Sequence, residues 1–133
     1  MNATLQRVLY VEDDADIRTI ALLALETVGA LEVRACSSGA EAIEAAKGLE
    51  PDLLLLDVMM PGMDGPTTLA RLREIPSTAK VPVIFMTAKV QASEVEHYKA
   101  LGAVGVITKP FDPMTLAMQV EDLWRRSRDA HAD

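Results

Sequence analysis

The chain has 133 residues, with 13 Lys+Arg against 20 Asp+Glu for a formal net charge of −7, and half of it is hydrophobic. That length houses one core of ordinary size, not two. An acidic chain repels a phosphate backbone, and one Trp, two Phe and two Tyr leave little aromatic surface for stacking bases, so direct nucleic-acid binding is not expected. The stretch from Met1 to Tyr10 lacks a basic start followed by an apolar run, and no segment approaches the roughly 20 apolar residues that cross a bilayer. The single cysteine, Cys36, cannot form an intrachain disulfide and reads as a small core hydrophobe. These features predict a cytoplasmic chain with no membrane partner.

The first aliphatic run, Arg7 to Val11, predicts a buried strand, and Glu12, Asp13 and Asp14 follow it directly. Ile17, Ile20, Ala21, Ala24 and Val28 have helical spacing, stopped by Gly29. Glu32 to Cys36 alternates, as an edge strand does. Ser38 then opens a helix, with Glu41 three residues on to complete a capping box, and that helix ends near Gly48. A continuous run from Asp52 to Leu56 predicts a strand buried on both faces and leads into Asp57. The next helix spans about Gly65 to Glu74 with Leu69 and Leu72 inward. Val81 to Met86 forms another strand, running into Thr87, and Val95, Tyr98 and Leu101 place a helix before Gly102. The last strand, Val104 to Thr108, is followed by Lys109 and Pro110. Asp112 as N-cap and Pro113 at the first helical position then begin a helix with Leu116, Val120 and Leu123 on one face. Residues 1–126 read as one domain and Ser127 to Asp133 as a short solvated tail. The effect of a chain with no room for an output domain should fall on a separate protein.

Five strand–helix pairs fold, by the right-handed crossover rule, as a doubly wound (βα)5 parallel sheet, here with expected strand order 2-1-3-4-5. Ligands of such sheets bind beyond the carboxyl ends of the strands, where strand order reverses. At those ends stand Glu12, Asp13 and Asp14, then Asp57, Thr87, Thr108 and Lys109. Asp14 and Asp16 are best read as an N-cap and a first-turn charge. Glu12, Asp13 and Asp57 form a hard-oxygen cluster suited to Mg²⁺, and their mutual repulsion should raise at least one pKa. Taken singly, Thr87 also reads as a β-branched strand end and Lys109 as a solvated charge beside a turn. Together they suit a visiting phosphoryl group, Lys109 pairing with one oxygen and Thr87 donating to another, with Asp57 as the carboxylate nucleophile. His97, among Glu94, Glu96 and Lys99, is a solvated helix-face residue with no His or Cys at metal-ligand spacing.

From Val8 to about Arg126 the sequence resembles the receiver domains of two-component response regulators. The resemblance is carried by Val11-Glu12-Asp13-Asp14, by the loop from Leu56 and Asp57 through Met59, Met60, Pro61, Gly62, Met63 and Asp64 to Gly65, by Met86-Thr87-Ala88 and by Lys109-Pro110-Phe111. It implies the flavodoxin-like arrangement of the sheet. It also implies that Asp57 is the phosphoacceptor, supplied by a phosphohistidine of a sensor kinase or a phosphotransfer protein. Glu12, Asp13, Asp57 and the backbone carbonyl of Met59 would hold Mg²⁺. Thr87 and Lys109 would sense the phosphoryl group, and Met59, Ala88 and Lys89 would tune access to it and its lifetime. The Lys109-Pro110 bond is the place to expect a cis peptide. The chain departs from the family at Val106, where most receivers carry a Phe or Tyr that turns inward on activation. A valine cannot swing that way, which leaves backbone shifts or another side chain such as Tyr98 to carry any signal on that face.

The leading expectation is a stand-alone phosphoacceptor that catalyses only its own phosphorylation and dephosphorylation and acts on an unidentified protein target. A phosphatase or phosphotransferase of the haloacid-dehalogenase kind would need a second acid two residues after the nucleophile, where Met59 stands. A phosphorylation-independent adaptor would have no use for the full set of acceptor and metal residues.

Overall fold

The structure, a computed structural model, describes residues 4–130. In chain order the elements are β1 (Arg7–Val11), α1 (Ala15–Leu23), a π-helical turn (Ala24–Val28), β2 (Glu32–Cys36), α2 (Gly39–Ala46), β3 (Leu53–Asp57), α3 (Gly65–Leu72), β4 (Val83–Thr87), α4 (Ala92–Ala100), β5 (Ala103–Thr108) and α5 (Leu116–Ala130). All strand pairings are parallel and the order is β2-β1-β3-β4-β5, as the sequence predicts. Among the described residues no helix is long and apolar enough to cross a membrane.

Alternation along the strands splits the interior into two cores. Val8, Tyr10, Leu53, Leu55, Ile84, Met86 and Ile107 face α1 and α5, packing with Ala21, Leu25, Leu116, Val120 and Trp124. Leu9, Val11, Leu54, Leu56, Val83 and Phe85 face the other way, with Ala42, Ala46, Leu69, Leu72 and Tyr98. Strands β3 and β4 are buried along their whole length. Strand β5 is an edge strand with Val104 and Val106 only half-buried, whereas the sequence suggests a run buried on both faces. The middle strands start and end one or two residues later than expected. Pro82, which has no N–H, precedes β4 and contributes only its carbonyl, accepting from the Leu54 N–H at 2.9 Å.

The first helix departs most from its expected pattern. Gly29 N–H donates to the Ala24 carbonyl five residues back, at 3.2 Å, so the last turn holds an extra residue. α1 and this turn approach the sheet through Ala21, Ala24 and Leu25, which leaves Ile20 47 % and Val28 51 % exposed on the outside. Gly29 is a stop for a reason of space. A Cβ there would lie 2.6 Å from the Ala117 Cβ and 2.7 Å from the Leu25 carbonyl oxygen. The left-handed conformation falls instead on Ala30, at φ 55°.

The caps follow the expected residues with local changes. Ser38 accepts from the Glu41 N–H at 3.1 Å, but Glu41 answers to the backbone N–H and hydroxyl of Ser37 rather than to Ser38 itself. Asp112 accepts from the Met114 N–H at 2.9 Å and caps a turn over residues 113–115, after which α5 proper begins at Leu116. In α4, Tyr98 is buried and Val95 half-buried, but Leu101 is exposed. The segment from Ser127, expected as a solvated tail, continues α5 as helix through Ala130 with Arg128 and Asp129 exposed, and residues 131–133 lie outside the described residues.

Candidate functional site

The carboxyl ends of β1, β3, β4 and β5 bring Glu12, Asp57, Thr87 and Lys109 to one rim. Glu12 and Asp57 are 1 % and 2 % exposed, Thr87 is 1 % exposed and Asp13 is open to solvent. The Lys109 Nζ donates to Glu12 Oε1 at 2.9 Å and to Asp57 Oδ1 at 3.1 Å. Glu12, Asp13 and Asp57 can each offer an oxygen, all within 4.8 Å of one another. Thr87 Oγ1 accepts from the Lys89 N–H at 3.0 Å, and the Lys109 N–H donates to the Thr87 carbonyl at 2.9 Å. The Lys109–Pro110 peptide is cis, as the resemblance implies.

Local chemistry holds these groups in place. Asp14 caps α1, its Oδ1 accepting from the N–H groups of Asp16 and Ile17 at 2.9 and 3.0 Å, while its own N–H donates to Glu12 Oε2 at 3.2 Å. Arg18, one turn into α1, donates from Nη1 to the Glu12 carbonyl at 2.8 Å and to the Asp13 carbonyl at 3.5 Å, tying down the acidic loop. After β3 the chain returns so closely on itself that only glycine fits at position 65. A Cβ there would stand 2.5 Å from the Asp57 carbonyl oxygen and 3.0 Å from the Val58 Cα. The Gly65 N–H donates to the Val58 carbonyl at 2.9 Å, and Asp64 N-caps α3.

Burial, and then the Glu12 charge, push the Asp57 carboxyl up to about 7; the Lys109 ammonium opposes both. For Lys109, burial works against its charge, but the hydrogen bonds to Glu12 and Asp57 prevail and hold its pKa above the ordinary lysine value. Three carboxylates thus gather around one ammonium, which pairs with Glu12 and Asp57 only, and the cluster is short of positive charge. Hard oxygen donors, an excess of negative charge and one solvent-facing member fit a divalent cation such as Mg²⁺. They fit a soft metal poorly, because Cys36, the single thiol of the chain, is buried at the end of β2 and is no part of the cluster.

The profile of the response regulator receiver domain matches residues 8–121. The chain belongs to this family. Among curated relatives, the receiver is 40 % identical over 119 residues to the transcriptional regulatory protein CseB of Streptomyces avermitilis, covering 90 % of this chain and 49 % of CseB. It is 35 % identical over 133 residues to the DNA-binding response regulator MtrA of Mycobacterium tuberculosis, covering 100 % of this chain and 57 % of MtrA. The receiver therefore spans about half the length of these relatives. Among solved structures, the chemotaxis response regulator CheY4 of Vibrio cholerae is similar with a TM-score of 0.81 and 30 % identity over 90 % of this chain and 99 % of that one. A response regulator from Chloroflexus aurantiacus has a TM-score of 0.79 and 34 % identity over 92 % and 99 % of the two chains.

Around the central cluster of this receiver, Met59 is 64 % exposed, and Ala88 and Lys89 are exposed beside Thr87. Of the other loop methionines, Met60 is buried and Met63 half-buried. Val106 pairs with Phe85 across β4 and β5 and packs into the core that holds Tyr98, whose ring meets Phe85 at 5.4 Å between centroids. The aromatic ring on this side comes from α4 rather than from β5. His97 lies on the exposed face of α4, as expected. Sequence reasoning missed Arg18 and the close approach at Gly65. An arginine one turn into the helix that follows an acidic loop is a usable signal for the first, while the second depends on a return of the chain that only the fold makes visible.

Proposed function

We propose that this receiver accepts a phosphoryl group on Asp57 from a phosphohistidine of a sensor kinase or a histidine phosphotransfer protein. An Asp57 carboxylate oxygen attacks phosphorus, the P–N bond to the imidazole breaks as the acyl phosphate P–O bond forms, and hydrolysis later returns the carboxylate and inorganic phosphate. The observation that carries this reading is the position of Asp57: a buried carboxylate at the end of β3, 3.1 Å from an ammonium and grouped with two further acids beside the strand-order reversal.

Glu12, Asp13 and Asp57, with the backbone carbonyl of Met59, would hold Mg²⁺, whose charge stabilises the oxygens of a transferring phosphoryl group. Lys109 turns from its two carboxylates to one phosphoryl oxygen, and the Thr87 hydroxyl donates to another. Met59, Ala88 and Lys89 stand where they control the approach of water and so the lifetime of the phosphorylated state. Output is a changed protein–protein surface; because Val106 cannot swing inward, any signal beside it travels by backbone shifts or by another side chain such as Tyr98, with little change over α4. The receiver turns over no external substrate.

Treatment with acetyl phosphate and Mg²⁺, followed by intact-mass measurement of the wild type and of Asp57→Asn, tests the reading. One added phosphoryl group on the wild type and none on the variant is expected; no gain, or an equal gain on both, sinks it. Sustained release of phosphate from many equivalents of a phosphoester would favour a haloacid-dehalogenase-like enzyme instead.

Two readings of the whole protein each rest on a relative. Likeness to CheY4, 99 % of whose chain is matched, supports a receiver that acts alone, and for it we propose a protein target and a cytoplasmic location. Likeness to MtrA, of whose length 57 % is matched, supports a receiver that governs a DNA-binding segment. We favour the first, and the mass of the endogenous protein decides: 14.4 kDa for the first reading and about twice that for the second.

A further inference from the structure

Tyr10 lies in β1, is 0 % exposed, and is packed in the core between the sheet and the helices α1 and α5. Its hydroxyl is the one fully buried side-chain oxygen or nitrogen among the described residues that has no hydrogen-bond partner. A buried hydroxyl without a partner destabilises a fold, and phenylalanine would fill the same space without that cost. The hydroxyl is therefore either a standing defect or a donor whose partner arrives in another state of the molecule.

Glu12 follows the end of β1, two residues after Tyr10, and its N–H still donates to the Cys36 carbonyl of β2 at 3.0 Å, so alternation carried one residue past the strand puts Tyr10 and Glu12 on the same face. Burial raises the Tyr10 pKa, and so do the charges of Glu12, Asp57 and Asp14 at the acidic rim, while Arg18 lowers it. The phenol thus sits under the site. Glu12 in turn holds its two oxygens with one donor each: Lys109 on Oε1 at 2.9 Å and the Asp14 N–H on Oε2 at 3.2 Å. The second of these is fixed by the cap of α1. The first is lost whenever Lys109 turns to a phosphoryl oxygen; a carboxylate only 1 % exposed then keeps no protein donor on that side, and a cation held by Glu12 would take one lone pair of that oxygen and leave the other for a hydroxyl.

We propose that Tyr10 is a positioning residue of the phosphoacceptor site: its hydroxyl, idle while Lys109 holds Glu12, hydrogen-bonds the Glu12 carboxylate when Lys109 leaves. This rests on the phosphoacceptor reading above. In the loaded state the phenol fixes the orientation of a carboxylate in the cation-binding set, as hydrogen-bonded neighbours of metal-ligating carboxylates commonly do. The orphan hydroxyl of the resting state is then the partner held ready for the activated one.

The test compares the wild type with Tyr10→Phe, which keeps the ring and so the packing. Stability is measured by denaturation without metal and again with Mg²⁺ and beryllofluoride, and Mg²⁺ affinity in the presence of beryllofluoride by calorimetry. The variant should be more stable than the wild type without metal, should gain less from Mg²⁺ and beryllofluoride, and should bind Mg²⁺ about tenfold more weakly. In the wild type a slowly exchanging Tyr10 hydroxyl proton should appear by NMR only in the loaded state. If Tyr10→Phe shifts both states equally, the hydroxyl is a defect in both and the proposal fails. If the variant is the less stable one without metal, the hydroxyl already has a partner and the proposal fails as well. A wild type that does not respond to Mg²⁺ and beryllofluoride overturns the phosphoacceptor reading along with it, whereas a responsive wild type with an identical variant overturns this inference alone.

Discussion

Asp57→Asn should make the metal-free protein more stable, and by an amount that depends on pH. The carboxyl ionises at about 7 in the folded chain, against an ordinary 3.8 when unfolded. Below about pH 4 both states carry the proton. Between about 4 and 7 only the folded state does, so the wild type loses stability as pH rises, by about 1.4 kcal/mol per pH unit; above 7 neither state carries it and the loss levels off. The whole difference is a ceiling of about 4 kcal/mol. The introduced amide has N–H groups of its own to satisfy beside Lys109, so a gain of about 2–4 kcal/mol at pH 8 is expected.

Urea denaturation is a suitable assay, because the buried Trp124, whose Nε1–H donates to the Asp52 carbonyl at 3.0 Å, reports global unfolding by fluorescence. Run at pH 4, 6 and 8, the stability difference between variant and wild type should grow from near zero to its plateau, and saturating Mg²⁺ should narrow it by stabilising the wild type alone. A difference that does not change with pH, or a variant less stable at pH 8, would show that Asp57 is not held against its charge by burial and Glu12.

Four further outcomes follow from named contacts. Arg18→Ala, which removes the donor to the Glu12 and Asp13 carbonyls, should weaken Mg²⁺ binding about tenfold with the far-UV spectrum unchanged; calorimetric titration reads it. Gly65→Ala should destabilise by about 1–3 kcal/mol, since its methyl meets the backbone of Asp57 and Val58, and a midpoint equal to the wild type would contradict the close approach. Ala30→Gly should raise stability by about 0.5–1 kcal/mol because Ala30 sits at φ 55°, with the change appearing in the denaturation midpoint and not in the slope. With Val106 in place of an aromatic residue, amide-shift mapping with beryllofluoride should show only small changes over α4, and a large rearrangement there that depends on Thr87 would count against that expectation.

The strand order and the convergence of Glu12, Asp57, Thr87 and Lys109 could be read from sequence because both follow from where aliphatic runs end. In a doubly wound parallel sheet, residues that terminate those runs have nowhere to go but one rim. The inner strands were displaced by a residue or two because Asp52, Asp57 and Thr87 are polar residues at the ends of apolar runs, where composition gives no sharp edge. Val28 was misplaced because helical periodicity assumes a constant number of residues per turn, and the π-helical turn breaks that assumption without any distinctive composition. The predicted strand order already puts β5 at an edge, but its half-burial was hidden because Val104 and Val106 are as apolar as any buried pair. Tyr10 read simply as a strand residue, since a missing partner is a property of three dimensions.

The sheet acts as a partition. By alternation from Leu55 and Phe85, Asp57 ends β3 over the α1–α5 core and Thr87 ends β4 over the core that holds Tyr98. A single small anion gripped by Lys109 and by Thr87 would therefore touch groups that belong to both sides of the sheet. One wall can be specialised for receiving the signal and the opposite wall for passing it on.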